Sequence, residues 1–327
     1  MATDFDNKIS ALKKQISQRI DEILEKKEPV SLYEPMRYAL AAGGKQIRPV
    51  LLLLANEAVG GQTEHALNAA AAVELVHNFT LVHDDIMDND DLRRGRETVH
   101  KHWDQNIAIL SGDGLLVLAY QTLNRTTTEN LQQIMTTFSK GILEVCEGQA
   151  LDKEFESRDS VSIDEYFTMI EKKTAALISM SCKIGALLGT ENRDYILALE
   201  KYGHLLGRAF QVQDDLLDVI ADERVLGKNV GSDLQENKKT FLILHALQNA
   251  KGTNREFLKK ILSEENISRQ KVEQAIHLFV EMGTIDAAKS RVRYELEEAR
   301  KALSILPDGP ARDYLNHFLK ILSNRNY

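Results

Sequence analysis

Apolar residues recur at three- and four-residue spacing in Ile9 to Leu24, Leu67 to Met87, Ile142 to Leu151 and Ile196 to Ile220, which predicts amphipathic helices. Alternating strand patterns with hairpin turns are not evident. Gly43-Gly44 and Gly60-Gly61 follow apolar runs, as helix C-termini do, and Ser162 and Asp164 precede an amphipathic run. Ala69-Ala70-Ala71-Ala72 reads as the start of a core helix. All five prolines lie near the ends, at Pro29, Pro35, Pro49, Pro307 and Pro310, so Val50 to Leu306 has none. A proline-free stretch this long, rich in Ala, Leu, Glu, Lys and Gln, favours helix. Without a Pro- or Ser-rich linker or a short fixed repeat, the pattern predicts one all-α domain of ten or more helices over residues 1–327.

Composition narrows the partners. The 43% hydrophobic and 28% charged residues describe a globular chain, and a net charge of -8 argues against nucleic-acid binding by a general basic surface. Apolar runs such as Val50 to Ala55 fall short of the roughly 20 residues of a membrane span. Cys146 and Cys182 lack metal-ligand spacing and read as reduced core residues of a cytoplasmic protein. The polar segment Met1 to Ser10 does not read as a secretory signal.

Two acidic clusters stand out in this apolar sequence. Asp84-Asp85-Ile86-Met87-Asp88 and Asp214-Asp215-Leu216-Leu217-Asp218 both read Asp-Asp-x-x-Asp. On a helical wheel Asp84 and Asp88 share a face with His77 and Leu81, while Asp85 lies about a quarter-turn round. Gln211 joins Asp214, Asp215 and Asp218 on one side of the second run. Carboxylates in apolar surroundings are costly unless cations neutralise them, and carboxylate oxygens suit Mg²⁺. A single such motif is more often a solvated helix end. Its duplication and the neighbouring Arg93-Arg94-Gly95, a pair able to grip phosphate oxygens, favour a metal and a polyanion.

Three basic segments add anion-binding chemistry. Gly43-Gly44-Lys45-Gln46-Ile47-Arg48 puts flexible glycines and two cations near a helix start, although an ordinary helix-helix loop reads similarly. Gly227-Lys228-Asn229-Val230-Gly231-Ser232-Asp233 and Asn237-Lys238 supply glycines and lysines without the spacing of a P-loop. Lys172-Lys173-Thr174 lies in a helical run and reads equally well as surface.

In this order the motifs resemble the trans-prenyl diphosphate synthases (polyprenyl synthetases) from about Tyr38 to Thr240, with Leu75-Val76-His77, Gly112-Asp113 and Phe210-Gln211 completing the set. The resemblance implies an all-α isoprenoid synthase fold around a central cavity, a homodimer, and two acidic motifs facing each other. Asp84, Asp88 and Asp214 would be the main Mg²⁺ ligands, supported by Asp85, Asp215 and Asp218, with three Mg²⁺ per site and Mn²⁺ as an alternative. Arg93, Lys173, Lys228 and Lys238 would bind an allylic diphosphate; Lys45, Arg48, His77 and Arg94 would bind isopentenyl diphosphate. Thr174 and Gln211 would line the reacting centre, with Lys173, Asp84 and Asp85 catalytic beside them.

The implied chemistry is ionisation of the allylic diphosphate, attack by the isopentenyl double bond, and proton loss to the departing diphosphate, with water excluded. Phe79, about 7.5 Å below Asp84 along a helix, would cap the growing product, although Thr80 points more directly below Asp84 and Phe79 reads equally as core packing. Asn78-Phe79-Thr80-Leu81-Val82-His83, with no insertion in the acidic motif, resembles archaeal short-chain geranylgeranyl diphosphate synthases. That implies a C20 product, with C15 and C25 as alternatives. Terpene cyclases differ in the second motif, and non-catalytic synthase subunits tend to lose aspartates that this chain keeps. A Ca²⁺ buffer fails because Asp88-Asn89-Asp90-Asp91 lacks the glycine and terminal Glu of an EF-hand loop.

Overall fold

Helices form where the apolar spacing places them, and local chemistry sets their ends. The computed structural model describes residues 3–220, 230–264 and 267–324. Its first helices are α1 (Asp4–Ile23), α2 (Val30–Ala41), α3 (Ile47–Ala58) and α4 (Thr63–Met87). Thr3 and Asp6 close a capping box on α1, as the side chain of each accepts from the backbone N–H of the other. The tetra-alanine does not start α4 but lies inside it, with all four residues fully buried. Alanine lets neighbouring helices approach closely, and α4 packs against α1, α2, α3 and α6 (Gln105–Leu123).

Between α4 and the short α5 (Val99–His102) the chain makes a hairpin, which the sequence pattern did not suggest. Leu92–Arg93 pairs antiparallel with Arg96–Glu97. Both turn residues, Arg94 and Gly95, have positive φ (54° and 75°), the requirement of a type I′ turn. Strands of two residues are too short to show an alternating pattern.

The chain divides into two compact units. The first comprises Met1–Ile142, Met180–Glu200 and Ile305–Leu315; the second comprises Leu143–Ser179, Lys201–Ser304 and Asn316–Tyr327. The first unit is centred on α3, α4 and α6, with Val50 to Ala55 fully buried. Among the described residues α6 alone is long and apolar enough to cross a membrane by length and composition, and it packs against α4, α2 and α5.

The second unit contains the later part of α7 (Leu131–Ser157), α8 (Ile163–Ile170), a π-helical turn Glu171–Ala175, the start of α9 (Ala176–Gly189) and most of α10 (Arg193–Ile220). Cys182 on α9 is buried as its apolar setting predicts, whereas Cys146 lies on the exposed side of α7 and is not a core residue. Ser162 caps α8 in a reciprocal box with Glu165, as the sequence signal predicts. The π turn lies against two glycines. A Cβ at Gly148 of α7 would fall 2.2 Å from Lys173 N, and one at Gly207 of α10 would fall 2.4 Å from Ala175 Cα. Short α11 (Ser232–Gln235) then leads to α12 (Phe241–Asn249), α13 (Gly252–Ile261), α14 (Arg269–Glu281) and α15 (Thr284–Leu303). Helix α12 packs on α8, α13, α14 and α15, around buried Phe241 and Ile243.

Candidate functional site

In the first unit α4 delivers the first acidic motif at its C-terminal end. Asp84 and Asp88 are half-buried, whereas Asp85 is only 4% exposed. Asp88 is the first residue past the helix, and its N–H donates to Asp84 O at 2.8 Å. Arg93 turns back from the hairpin to pair with Asp85 through Nε and with Asp90 Oδ2 through Nη2 at 3.2 Å. Burial outweighs Arg93 and raises the Asp85 carboxyl to about 6.

The basic residues of this unit converge beside that motif. Gly44 (φ 155°) is bare enough for Arg94 to lie against the loop, since a Cβ there would meet Arg94 Nη1 at 2.7 Å. Gln46, in the left-handed region, precedes α3 and caps it with no side-chain hydrogen bond. Arg48, in the first turn of α3, places Nη1 3.1 Å from His77 Nε2 on α4. Burial, then the charges of Arg48, Arg94 and Arg93, hold His77 well below its usual pKa. The ring is therefore neutral and accepts the Arg48 proton at Nε2. Burial also lowers Arg48 to about 10, with Glu74 opposing and Arg94 adding to the shift, and lowers Arg94. Among the described residues no carboxylate lies within ion-pair distance of Arg48 or Arg94. Lys45 is exposed in the same loop. A small open cleft adjoins this region, lined by Asn78, Leu81, Asp85, Arg93 and Arg94 among others.

The two chain-length candidates sit on α4 below the acids. Phe79 is 8% exposed and packs edge-on against His83, with ring centroids 4.9 Å apart. Thr80 is half-buried, and its hydroxyl donates to His77 O at 2.8 Å.

In the second unit α10 presents Gln211, Asp214, Asp215 and Asp218. Asp214 is exposed, Asp215 buried and Asp218 half-buried. Asp215 accepts from Tyr166 OH at 2.7 Å, Gln211 Nε2 at 3.0 Å and Phe241 N at 3.0 Å. Burial nevertheless raises it to about 6. Asp218 accepts from Ser232 Oγ at 2.6 Å and from Asp233 N at 3.2 Å, which holds the start of α11 against α10. Asp233 is pushed up to about 7 by burial and by the charges of Asp218 and Asp215. Thr174 Oγ1 donates to Gln211 Oε1 at 2.8 Å, so the π turn, Gln211 and Asp215 form one hydrogen-bonded chain. Lys173 pairs with Asp152 at 2.5 Å. Lys238 lies 2.6 Å from Glu236 and 3.7 Å from Asp233. Burial would lower Lys238, but those two carboxylates more than offset it and its pKa is raised. Gly227 and Lys228 lie outside the described residues.

Sequence reasoning missed several members of these groups. Asp152 is the Lys173 partner, and Gln149, three residues earlier on α7, is 6% exposed with neither amide atom partnered among the described residues. Their three-residue spacing was the available signal. Glu74, buried three residues before His77, accepts from Asn78 Nδ2 at 3.3 Å, and nothing in its apolar run marked it out. Among the described residues no three carboxylate, imidazole or thiol groups form a metal cage by themselves. A donor set of carboxylates with raised pKa values still fits a hard divalent cation, which keeps waters and takes oxygens from phosphate.

Comparison with known proteins agrees with this chemistry. A family model described as polyprenyl synthetase matches residues 29–279. The geranylgeranyl diphosphate synthase of Methanosarcina mazei is 42% identical over 314 residues, covering 95% of each chain. The geranylfarnesyl diphosphate synthase of Natronomonas pharaonis is 37% identical over 100% of this chain and 99% of that one. A crystal structure of geranylgeranyl pyrophosphate synthetase from Pyrococcus horikoshii superposes with a TM-score of 0.94 at 41% identity, over 99% of this chain and 100% of that one.

Proposed function

Because this chain belongs to the polyprenyl synthetase family, we propose that it extends an allylic primer to geranylgeranyl diphosphate (C20). It is a trans-prenyltransferase that condenses isopentenyl diphosphate with an allylic diphosphate, head to tail, and releases diphosphate. Relatives named for a C20 product support that length, and the relative named for geranylfarnesyl diphosphate keeps C25 as the first alternative, ahead of C15.

The observation that carries the reading is the convergence of Arg48, Arg94 and neutral His77 without an ion-paired carboxylate among the described residues. Such a cluster is a receptor for a small polyanion, and isopentenyl diphosphate would complete it with Lys45. Arg93, Lys173, Lys228 and Lys238 would hold the allylic diphosphate, and Thr174 and Gln211 would line the reacting centre. Asp84, Asp88 and Asp214 would hold Mg²⁺, with Asp85, Asp215 and Asp218 supporting them. Bound there, the cation would stabilise charge growing on the leaving diphosphate. The chain's own residues fix both substrates and exclude water, so the π bond meets the allylic carbon in place of solvent. Proton loss to the departing diphosphate then restores the alkene.

Within this reading residues 1–327 act as one synthase domain in a cytoplasmic homodimer. Leu110 and Val117, seven residues apart and each 55% exposed on α6, support a partner surface. Replacing Phe79 with Ala is expected to lengthen the products, because the ring beside His83 would no longer cap the α4 side of the pocket. The decisive assay incubates the purified chain with Mg²⁺, isopentenyl diphosphate and each allylic primer, then measures product length. Products ending at C20 support the proposal. No elongation with any primer would sink it in favour of a non-catalytic binding subunit, and cyclised hydrocarbon would favour a terpene cyclase.

A further inference from the structure

The chain from Asn249 onward carries no recognisable motif, yet α15 brings two charged residues to the support of the π turn. Arg208 on α10 lies three residues before Gln211, and Glu171 lies three residues before Thr174. Arg208 Nη1 donates to Glu171 Oε1 at 2.7 Å, one step along from the 2.8 Å bond between Thr174 and Gln211. The other side of Arg208 faces α15, where Nη2 stands 2.9 Å from Glu295 Oε1. Arg291 Nη2 reaches the same oxygen at 2.7 Å. Both are ion pairs by distance, although neither is aligned as a hydrogen bond. The two guanidinium groups also lie over the Phe167 ring of α8, 4.7 and 4.2 Å from its centroid.

A network of this kind is a poor way to gain stability alone. Glu295 is 1% exposed, and desolvation of a buried ion pair commonly offsets its Coulombic gain. Its value lies in fixing geometry. A π turn is a rare departure from the α-helix that recurs at functional sites, and this one carries Lys173 and Thr174. Gly148 and Gly207 fix its backbone from two sides, and the Arg208–Glu171 pair ties its first side chain.

We propose that Arg208 is a positioning residue for the allylic substrate: through Glu171 it holds the π turn that presents Lys173 and Thr174, and Glu295 and Arg291 of α15 hold Arg208. The proposal rests on the transferase reading given above. It makes α15 part of the support of the reacting centre.

The test measures steady-state kinetics and melting of the full chain carrying Arg208→Met, Glu171→Gln, both together, or Glu295→Gln. Arg208→Met is expected to raise KM for the allylic diphosphate about three-fold and to lower kcat several-fold, with KM for isopentenyl diphosphate unchanged. Glu171→Gln should act alike, the double variant should be no worse than Arg208→Met, and Glu295→Gln should move the same parameters less. A lower melting temperature with kcat and both KM values unchanged would overturn the proposal and leave the network purely structural. Should Arg208→Met not fold, the near-isosteric Glu295→Gln decides by the same split. A wild-type chain that elongates no primer sinks the transferase reading, and this inference with it. An active wild type with kinetically silent variants sinks the inference alone.

Discussion

In the first unit Arg48, Arg94 and His77 gather with no ion-paired carboxylate among the described residues, and their pKa values are lowered by burial. In the second unit Asp215, Asp218 and Asp233 gather instead, and burial raises Asp215 and Asp233. The lysines there are already satisfied, Lys173 by Asp152 and Lys238 by Glu236 and Asp233. Among the described residues, then, the first region gathers cations without an ion-paired carboxylate, whereas the second crowds carboxylates beside lysines that are already paired. On the proposed function a diphosphate would complete the first and a divalent metal the second. The difference also predicts unequal binding costs: Arg48 accepts a phosphate without breaking an ion pair, whereas Lys173 must give up Asp152.

The contrast is tested most severely at the second acidic motif, where exposed and buried aspartates alternate. Asp214→Asn is expected to lower kcat about 10³-fold, roughly 4 kcal/mol of transition-state stabilisation, with a smaller stability loss than at buried Asp215. Asp215→Ala should instead lose about 3 kcal/mol of unfolding free energy, because Tyr166 OH, Gln211 Nε2 and Phe241 N would each lose an acceptor. Urea unfolding and turnover, measured on both variants, separate the two roles. Equal stability losses would erase the distinction between outer and inner aspartates.

Next in size is the comparison of cations. Arg48→Met should raise KM for isopentenyl diphosphate about 30-fold, roughly 2 kcal/mol, and leave allylic KM nearly unchanged. Lys173→Met should raise allylic KM only about five-fold, roughly 1 kcal/mol, since its gain on binding is reduced by the lost Asp152 pair. A larger effect at Lys173 than at Arg48 would break the argument that pairing in the free protein sets binding cost.

Most of the helical architecture was legible in the chain because helical periodicity and caps are local signals. Ser162 with Glu165 is an example, and so is the long run into Asp84 and Asp85. What stayed hidden depended on residues distant in sequence or on elements too short to show a period. The Arg94-Gly95 turn gave no strand pattern, and α4 starts six residues before its alanines. Tyr166 lies 49 residues from Asp215, so no spacing could pair them. The wheel set Asp85 a quarter-turn from Asp84 and Asp88 but left Asp215 grouped with Asp214 and Asp218; burial and hydrogen bonding are what set both Asp85 and Asp215 apart from their neighbours. Glu295 had no local signature at all, since its meaning comes from Arg208 and Arg291.

The smallest expected effect concerns pH and tests how closely the carboxylates of the second unit are crowded. Asp233 titrates at about 7 in the folded chain, against about 4 for an ordinary aspartate. A carboxyl whose pKa is raised by folding binds its proton more tightly in the native state. Its contribution to stability is full below about pH 4 and is lost as pH rises through about 7. His77 acts in the opposite sense, because folding depresses its pKa and stability falls as pH drops below its usual 6.5. Comparing metal-free wild type with Asp233→Asn cancels the histidine. The variant should gain stability relative to wild type between pH 5 and pH 8, and Mg²⁺ with inorganic diphosphate should shrink that gain. Chemical unfolding at the two pH values measures both. A stability difference that does not change with pH would mean that Asp233 titrates normally and that the carboxylates of this unit are not crowded enough to call for a cation.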